Sequence, residues 1–406
     1  MRIVIIGAGI IGLSTAWQLV RDGHHVTIID KAGSAGQGTS FANGAQLSYS
    51  YVAPLADPSV WAQLPKFLSD SQSPVQFRPG LSAFQYRWLL QFLAACTKRQ
   101  AEETIERLGE LASRSRSVLH SSGLLDSTQF AWRASGKLVV YSSEKSLAAA
   151  SRQAEQQMAQ GVSKQALSRD AVLALEPALG GISQRLVGGI FAPNDETGDA
   201  LLLCRELERL MAESPNPPVF AYETSVRRIV TKSKVVECVD TDKGRFEADL
   251  YVLAAGAYSR ILGRTAGLDL PIYPIKGYSL SAPISDRSAA PDISVTDAAR
   301  KIVLARLGGT LRLAGAADVV GEGLDIDTRR TDKLIADARA DFPDAARWQD
   351  ATLWAGLRPA TPTGQPIIGQ TRLENLLVNV GHGSLGFTLA LGSAERLARV
   401  VGGPSR

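Results

Sequence analysis

Residues 7–12 read Gly7-Ala8-Gly9-Ile10-Ile11-Gly12, three glycines spaced so that each does a separate job. The first permits a sharp turn out of a strand, the second lets backbone approach a pyrophosphate with no Cβ in the way, and the third lets the next helix pack on that strand. The flanks fit this use. Residues 3–6 are a short β-branched run of the buried parallel-strand kind. Residues 10–22 place Leu13, Ala16, Trp17 and Val20 on one helical face and end at Asp22-Gly23. The start of such a helix offers free N–H groups and partial positive charge to phosphate. A second strand at 25–29 leads to Asp30, where a carboxylate accepts hydrogen bonds from a ribose hydroxyl. These features together predict a dinucleotide site. The opening apolar run is a strand and not a signal peptide, because it stops after four residues at Gly7.

The turn alone does not choose between NAD and FAD. Three further segments bear on the choice. Residues 31–48, which include Lys31, Thr39, Ser40, Asn43, Gly44, Gln46 and Leu47, are small, polar and glycine-rich, suited to backbone contact with a flat polar ring. Residues 251–256 read as a buried strand that ends in a glycine turn at Ala255-Gly256. Gly381-His382-Gly383-Ser384-Leu385-Gly386-Phe387-Thr388 leads into a helix over about 386–400, a second anion site. A flavin needs such a site, because reduction leaves negative charge at the N1/C2-carbonyl side of its ring, which a helix N-terminus stabilises. A nicotinamide-linked reductase would need a second Gly-x-Gly-x-x-Gly in mid-chain, and there is none.

The ordered set of these motifs, with Pro274-Ile275-Lys276-Gly277-Tyr278 and Trp354-Ala355-Gly356-Leu357-Arg358-Pro359, resembles the FAD-dependent D-amino-acid oxidase superfamily, and within it the bacterial D-amino-acid dehydrogenases. The resemblance covers nearly the whole chain. It implies an α/β fold, with a Rossmann-type FAD-binding domain interleaved with an α+β substrate domain on an antiparallel sheet. The FAD domain is expected from 1–50, 196–260 and 352–406, and the substrate domain from 51–195 and 261–351. It carries FAD contacts onto Gly7, Ala8, Gly9, Ile10, Ile11, Gly12, Asp30, Lys31, Thr39, Ser40, Asn43, Gly44, Gln46, Leu47, Ala255, Gly256 and Gly383 through Thr388, with adenine near the Val226 backbone. No cysteine falls in these motifs, so the FAD is expected to be non-covalent.

Arg358 is the first candidate for substrate chemistry. A planar guanidinium binds a carboxylate bidentately and so orients a 2-amino acid, and it also resembles the family's carboxylate-binding arginine. Tyr278 is a second carboxylate donor or pocket wall, and Tyr49 and Tyr51 are pocket residues. Lys276 is read as neutralising charge near the flavin, and His382 as acting through its backbone. The implied reaction is hydride transfer from Cα of a D-amino acid to flavin N5, followed by hydrolysis to a 2-oxo acid and ammonia. No protein base is required if the amine enters neutral, so catalysis is orientation and electrostatics. Electrons are expected to pass to a quinone or other acceptor. Rival readings are an oxygen-using oxidase of the glycine oxidase type, a D-proline or D-hydroxyproline dehydrogenase, the catalytic subunit of a heteromeric amine-oxidising enzyme, and a non-catalytic flavin scaffold.

Several local elements follow from pattern. Residues 199–213 read as a helix capped by Asp199, 219–254 as short strands, and 301–315 as a hairpin around Gly308-Gly309. Residues 81–97 are aromatic-rich on one face, either a core helix or a patch resting on a membrane surface. The chain of 406 residues is long enough for two to three domains at ~150 residues each. Its 45% hydrophobic content and net charge of only +4 argue against disorder, and scattered basic residues argue against nucleic acid. No apolar run is long enough to span a membrane. Cys96, Cys204 and Cys238 form no CxxC, and the four histidines form no metal-binding pair, so neither a disulfide framework nor a metal is expected. The expected setting is the cytoplasm, with peripheral contact to the cytoplasmic face of the bacterial inner membrane, a partner subunit and a homo-oligomer all left open.

Overall fold

The structure is a computed structural model and describes residues 1–69, 73–78, 80, 82–125, 129–159 and 161–402. Its first sheet is built around the opening strand. Arg2–Ile6 pairs in parallel with His25–Ile29 on one side and Leu250–Leu253 on the other. The described order is Ile367–Gln370, Leu376–Val380, Leu250–Leu253, Arg2–Ile6, His25–Ile29 and Val219–Ala221, parallel except for the first strand. The central strands are buried on both faces, which is why the opening run is apolar throughout. Helices Ile10–Arg21, Ala200–Ala212 and Gly386–Gly402 share one core with one face. A three-stranded meander beginning at Val226 covers the other through Ile229, Val236 and Val239.

The second sheet holds nine described strands. Its main path is Thr352–Ala360, Tyr273–Pro283, Thr310–Val319, Ile302–Leu307, Ser294–Asp297, Lys137–Tyr141, Gly188–Ala192 and Gln165–Ser168. Val75–Phe77 adds alongside Thr310–Val319. Most pairings are antiparallel. Alternation sorts its side chains. Leu138, Val140, Tyr278, Leu280 and Leu313 pack on one face against the Thr328–Asp341 helix through Leu334 and Ala338. The other face looks toward the first sheet.

The expected helices and hairpin form close to their predicted bounds. Asp199 caps Ala200–Ala212 by accepting from the Leu201 and Leu202 N–H groups at 2.9 and 3.1 Å. The domain bounds are less simple than expected. Thr352–Ala360 is an edge strand of the second sheet, paired along its length with Tyr273–Pro283, so this sheet takes in residues placed with the FAD domain. Pro359 is tolerated there because an edge strand leaves one side unpaired. Conversely, helix Lys98–Ser121 buries Leu108, Leu111, Ala112 and Leu119 in the core of the first sheet, although residues 51–195 were assigned to the other domain. Gly392 permits this, since a Cβ there would overlap the backbone of Leu111 and Ser115.

Residues 83–95 settle as a helix with a buried face. Trp88 stacks on Phe92, and its Nε1 donates to the Pro271 and Ala360 carbonyls. Tyr86 and Leu90 point outward. No helix among the described residues is long and apolar enough to cross a membrane.

Asp199 also joins the two sheets. Its second oxygen accepts from Arg312 Nη2 at 3.1 Å, with both side chains about nine-tenths buried. Asp199→Ala therefore removes a helix cap and leaves a buried guanidinium unpaired, an expected loss of about 3 kcal/mol or more in urea unfolding. Asp199→Asn, which retains the cap oxygen, should lose less.

Candidate active site

Residues 39–48 cross the second sheet like a strap and hydrogen-bond to it along the way. Thr39 Oγ1 donates to the Leu357 carbonyl at 2.7 Å, and Ser279 Oγ donates to the Ala42 carbonyl at 2.7 Å. Gln46 Nε2 donates to Ser294 Oγ at 2.7 Å and Thr296 Oγ1 at 3.2 Å, and Lys137 Nζ donates to Ser48 Oγ at 2.9 Å. Beneath the strap runs a register row of mostly small residues, Trp354, Ser279, Ala314, Val303, Thr296 and Val139, each from a different strand. A Cβ added at Gly44 would lie 3.0 Å from Val303. Between strap, sheet and the first-sheet turns lies a cavity of about 870 Å³.

One end of the cavity is built for a nucleotide. Gly7, Gly9, Ile10, Ile11, Asp30, Lys31, Val226, Ala255 and Gly256 line it. Gly7 has φ +114°, and a Cβ there would collide with the Ala254 carbonyl; a Cβ at Gly12 would overlap the Gly7 carbonyl oxygen. Asp30 accepts from the Ala8 and Ala32 N–H groups at 2.7 and 2.8 Å, which fixes its carboxylate at the rim. Ser40 Oγ accepts from the Ile10 N–H at the start of the first helix. Lys31 Nζ sits 3.7 Å over the Tyr258 ring. Farther along, Gly383–Thr388 present the N-terminus of the last helix to the same cavity.

This lining fits a flavin dinucleotide. Two helix N-termini open into one elongated space, which suits a phosphate-linked molecule whose far end gains negative charge. Cβ atoms at Gly38, Gly256 and Gly383 would meet nothing within 4 Å, so these positions leave room for a ligand. His382 lines the cavity with its Nε2 buried and without a hydrogen-bond partner.

Arg358 sits at the sheet edge in a trough made by two glycines. Gly277 and Gly356 pair across neighbouring strands. A Cβ at Gly277 would strike the Arg358 guanidinium, and one at Gly356 would strike the Trp354 ring. The two large side chains thus lie over glycine backbone, side by side on the cavity wall. Arg358 Nη1 donates to the Ala316 carbonyl at 2.8 Å. No described carboxylate forms an ion pair with it. Burial pushes its pKa down, and the charge of Asp318 only partly offsets this.

Several expected residues lie elsewhere. Tyr278 borders the cavity, but its ring belongs to the core on the opposite sheet face. Its hydroxyl donates to Asp318 Oδ2 at 3.2 Å, and Arg330 holds that carboxylate in turn. Its position is one residue out of register with Gly277, and a strand places neighbouring side chains on opposite faces. Lys276 shares that other face and donates to the Asp325 carbonyl at 3.1 Å, outside the cavity. Tyr49 is buried in the first-sheet core and donates to Glu196 Oε2 at 3.3 Å. Leu47 is core, and Ala8 and Gly12 shape the turn without lining the cavity. Tyr51, Thr39, Ser40, Asn43, Gly44 and Gln46 do line it. Sequence reasoning missed Lys137, and it placed Gly277 in a motif without giving it a role. Lys137 has no motif around it and stands far from Arg358 in the chain, so only strand pairing could reveal it.

Comparisons with known proteins agree with this architecture. A family model described as DAO, FAD dependent oxidoreductase, matches residues 2–400, and the chain belongs to that family. It is 42% identical over 410 residues to D-amino acid dehydrogenase 2 of Ralstonia nicotianae, covering 99% of this chain and 96% of the relative. It is 43% identical over 406 residues to D-amino acid dehydrogenase 2 of Pseudomonas aeruginosa, covering 99% and 95%. In fold it is similar to glycine oxidase from Bacillus cereus, with a TM-score of 0.76 at 20% identity over 100% of this chain and 96% of that one.

Burial holds the His382 imidazole down to about 3, against 6.5 for an ordinary histidine. The unfolded chain therefore binds more protons between those values, and stability falls as pH drops from 6.5 toward 3. His382→Gln should flatten the dependence of the urea midpoint on pH below 6.5, relative to the native chain.

Proposed function

We propose that the protein oxidises D-amino acids with FAD, giving imino acids that hydrolyse to 2-oxo acids and ammonia, and that electrons leave to a quinone or other acceptor. The observation that carries the substrate class is Arg358, a half-buried cation on the cavity wall with no ion-paired carboxylate among the described residues. Such a charge is costly unless a ligand supplies the anion. A 2-amino acid supplies it as a carboxylate in the fork geometry a guanidinium prefers. The preference for D-enantiomers and for an acceptor other than oxygen is supported by the dehydrogenase names of the relatives.

Bound FAD would supply the two-electron acceptor. The chain supplies placement. Arg358 holds the carboxylate, Trp354 walls the trough beside it, and the glycine floor lets both approach the ring space. The carboxylates bordering the cavity, Asp30 and Asp297, lie away from Arg358. Asp30 is held by backbone at the nucleotide end, and Asp297 is paired with Arg185. Buried His382 stays neutral. These placements support a reaction in which the amine enters already neutral and no side chain near Arg358 removes its proton. The same reading has the protein in the cytoplasm, with outward Trp61, Tyr86 and Leu90 supporting peripheral contact with a membrane surface.

Anaerobic mixing of the yellow protein with D- and L-amino acids and glycine tests the reading. D-amino acids alone should bleach the flavin band, and a quinone should restore it faster than air. Bleaching by L-enantiomers or by none would overturn the assignment. Arg358→Ala should raise KM roughly 100-fold or more, the ~3 kcal/mol of a charged hydrogen-bonded pair. An unchanged KM would remove Arg358 from the carboxylate site. Acid denaturation should release the yellow colour into solution, since Cys96, Cys204 and Cys238 all lie outside the cavity lining.

A further inference from the structure

Lys137 faces the cavity from the strand five places along the sheet from that of Arg358. It is 5% exposed and forms no ion pair among the described residues. Its Nζ donates to Ser48 Oγ at 2.9 Å, and the Ser48 N–H donates to Thr388 Oγ1 at 3.0 Å in the first turn of the last helix. A second buried lysine, Lys164, lies behind it. The two ammonium groups stand 4.7 and 5.3 Å from the centroid of the same Tyr51 ring. One carboxylate, Asp195, acts electrostatically on both lysines. It accepts from the Ser50 N–H at 2.7 Å, while its Oδ2 is buried with no hydrogen-bond partner. Burial brings both lysines down to about 8, and the nearby Asp195 carboxylate opposes that shift. Lys137 and Lys164 both face Asp195 here, and Asp57 acts on the Tyr51 ring between them.

Five strand spacings amount to roughly 24 Å. Lys137 therefore lies on the opposite side of the cavity from Arg358. There the strap meets the last helix, whose N-terminus already favours negative charge. On oxidation, two electrons and one proton leave the Cα–H bond for the flavin. The neutral amine becomes a cationic imine, and the ring system gains one negative charge.

We propose that Lys137, acting through Ser48, places a buried positive charge beside the flavin ring and so favours its reduced, anionic state. The inference rests on the flavin reading above. Lys137 is thus an electrostatic partner of the cofactor, separate from the carboxylate site, and it tunes acceptance of electrons without binding substrate.

The test uses flavin-loaded native protein, Lys137→Met, Lys137→Gln and Lys137→Arg. Sulfite adds to oxidised flavin and puts the same negative charge on the ring, so its affinity reads the local field; the midpoint potential, measured against reference dyes, reads it independently. Lys137→Met and Lys137→Gln should bind sulfite about 10-fold or more weakly, the equivalent of one 1.36 kcal/mol step, with a more negative potential. Lys137→Arg should recover most of both, and benzoate affinity at Arg358 should stay within about twofold, a change too small to count as a lost contact. Unchanged sulfite affinity and potential in a folded, flavin-loaded Lys137→Gln would overturn the inference while leaving the flavin reading intact. Native protein that takes up no FAD would overturn the flavin reading itself. Should Lys137→Met fail to fold, Lys137→Gln decides, since it retains a hydrogen bond to Ser48 without the charge.

Discussion

The hydrogen bonds from residues 39–48 to the second sheet hold the two halves of the molecule at the separation that makes a site. Thr39, Ala42, Gln46 and Ser48 each engage a strand that is distant in the chain, from the edge strand at Leu357 across to Lys137. A strap with bulky side chains could not lie so close to a sheet. Gly44 rests on Val303, and the row beneath is mostly small. The cavity is the space that this close but bridged packing leaves, so its shape is set by side-chain size on two surfaces from different parts of the chain.

Charge is distributed along that space in an order that matches its proposed use. The nucleotide end offers a helix N-terminus and a carboxylate already held by backbone N–H groups. The substrate end offers one guanidinium with a single carbonyl partner. The far corner offers buried lysines around Tyr51. By contrast, the buried ion pairs elsewhere close on themselves: Arg312 with Asp199 joins the sheets, and Arg330 with Asp318 anchors the face behind the site. Arg312 and Arg330 are paired within the frame, whereas Arg358 and Lys137 line the cavity without an ion pair among the described residues. Burying an unpaired charge costs stability, and the proposed ligands offset that cost by supplying the opposite sign.

Much of the frame was legible in the chain. The glycine turn, the first helix, the Asp199 cap and the 301–315 hairpin rest on local rules of spacing and capping, and each forms near its expected bounds. Arg358 was legible because its motif sets a lone cation beside a proline in an otherwise uncharged stretch, all of which proves to be strand. The tyrosines were less so. Tyr278 and Gly277 are adjacent in sequence, but a strand sends them to opposite faces, and only the pairing of Gly277 with Gly356 shows which face holds the site. Tyr49 looked like a pocket residue from its neighbours, yet Glu196 draws it into the other core.

The sequence by itself determined the glycine turn, the two glycine-led helix starts, and the position of the arginine proposed to orient a carboxylate, because each depends on residues within about a dozen positions of one another. Tertiary structure alone decided which residues share the cavity. Lys137 joins Ser48, helix Lys98–Ser121 joins the first-sheet core, and Thr352–Ala360 closes the edge of the second sheet. Those contacts depend on register between strands far apart in the chain, where a shift of one residue would reverse every face. Local pattern carries no record of that register.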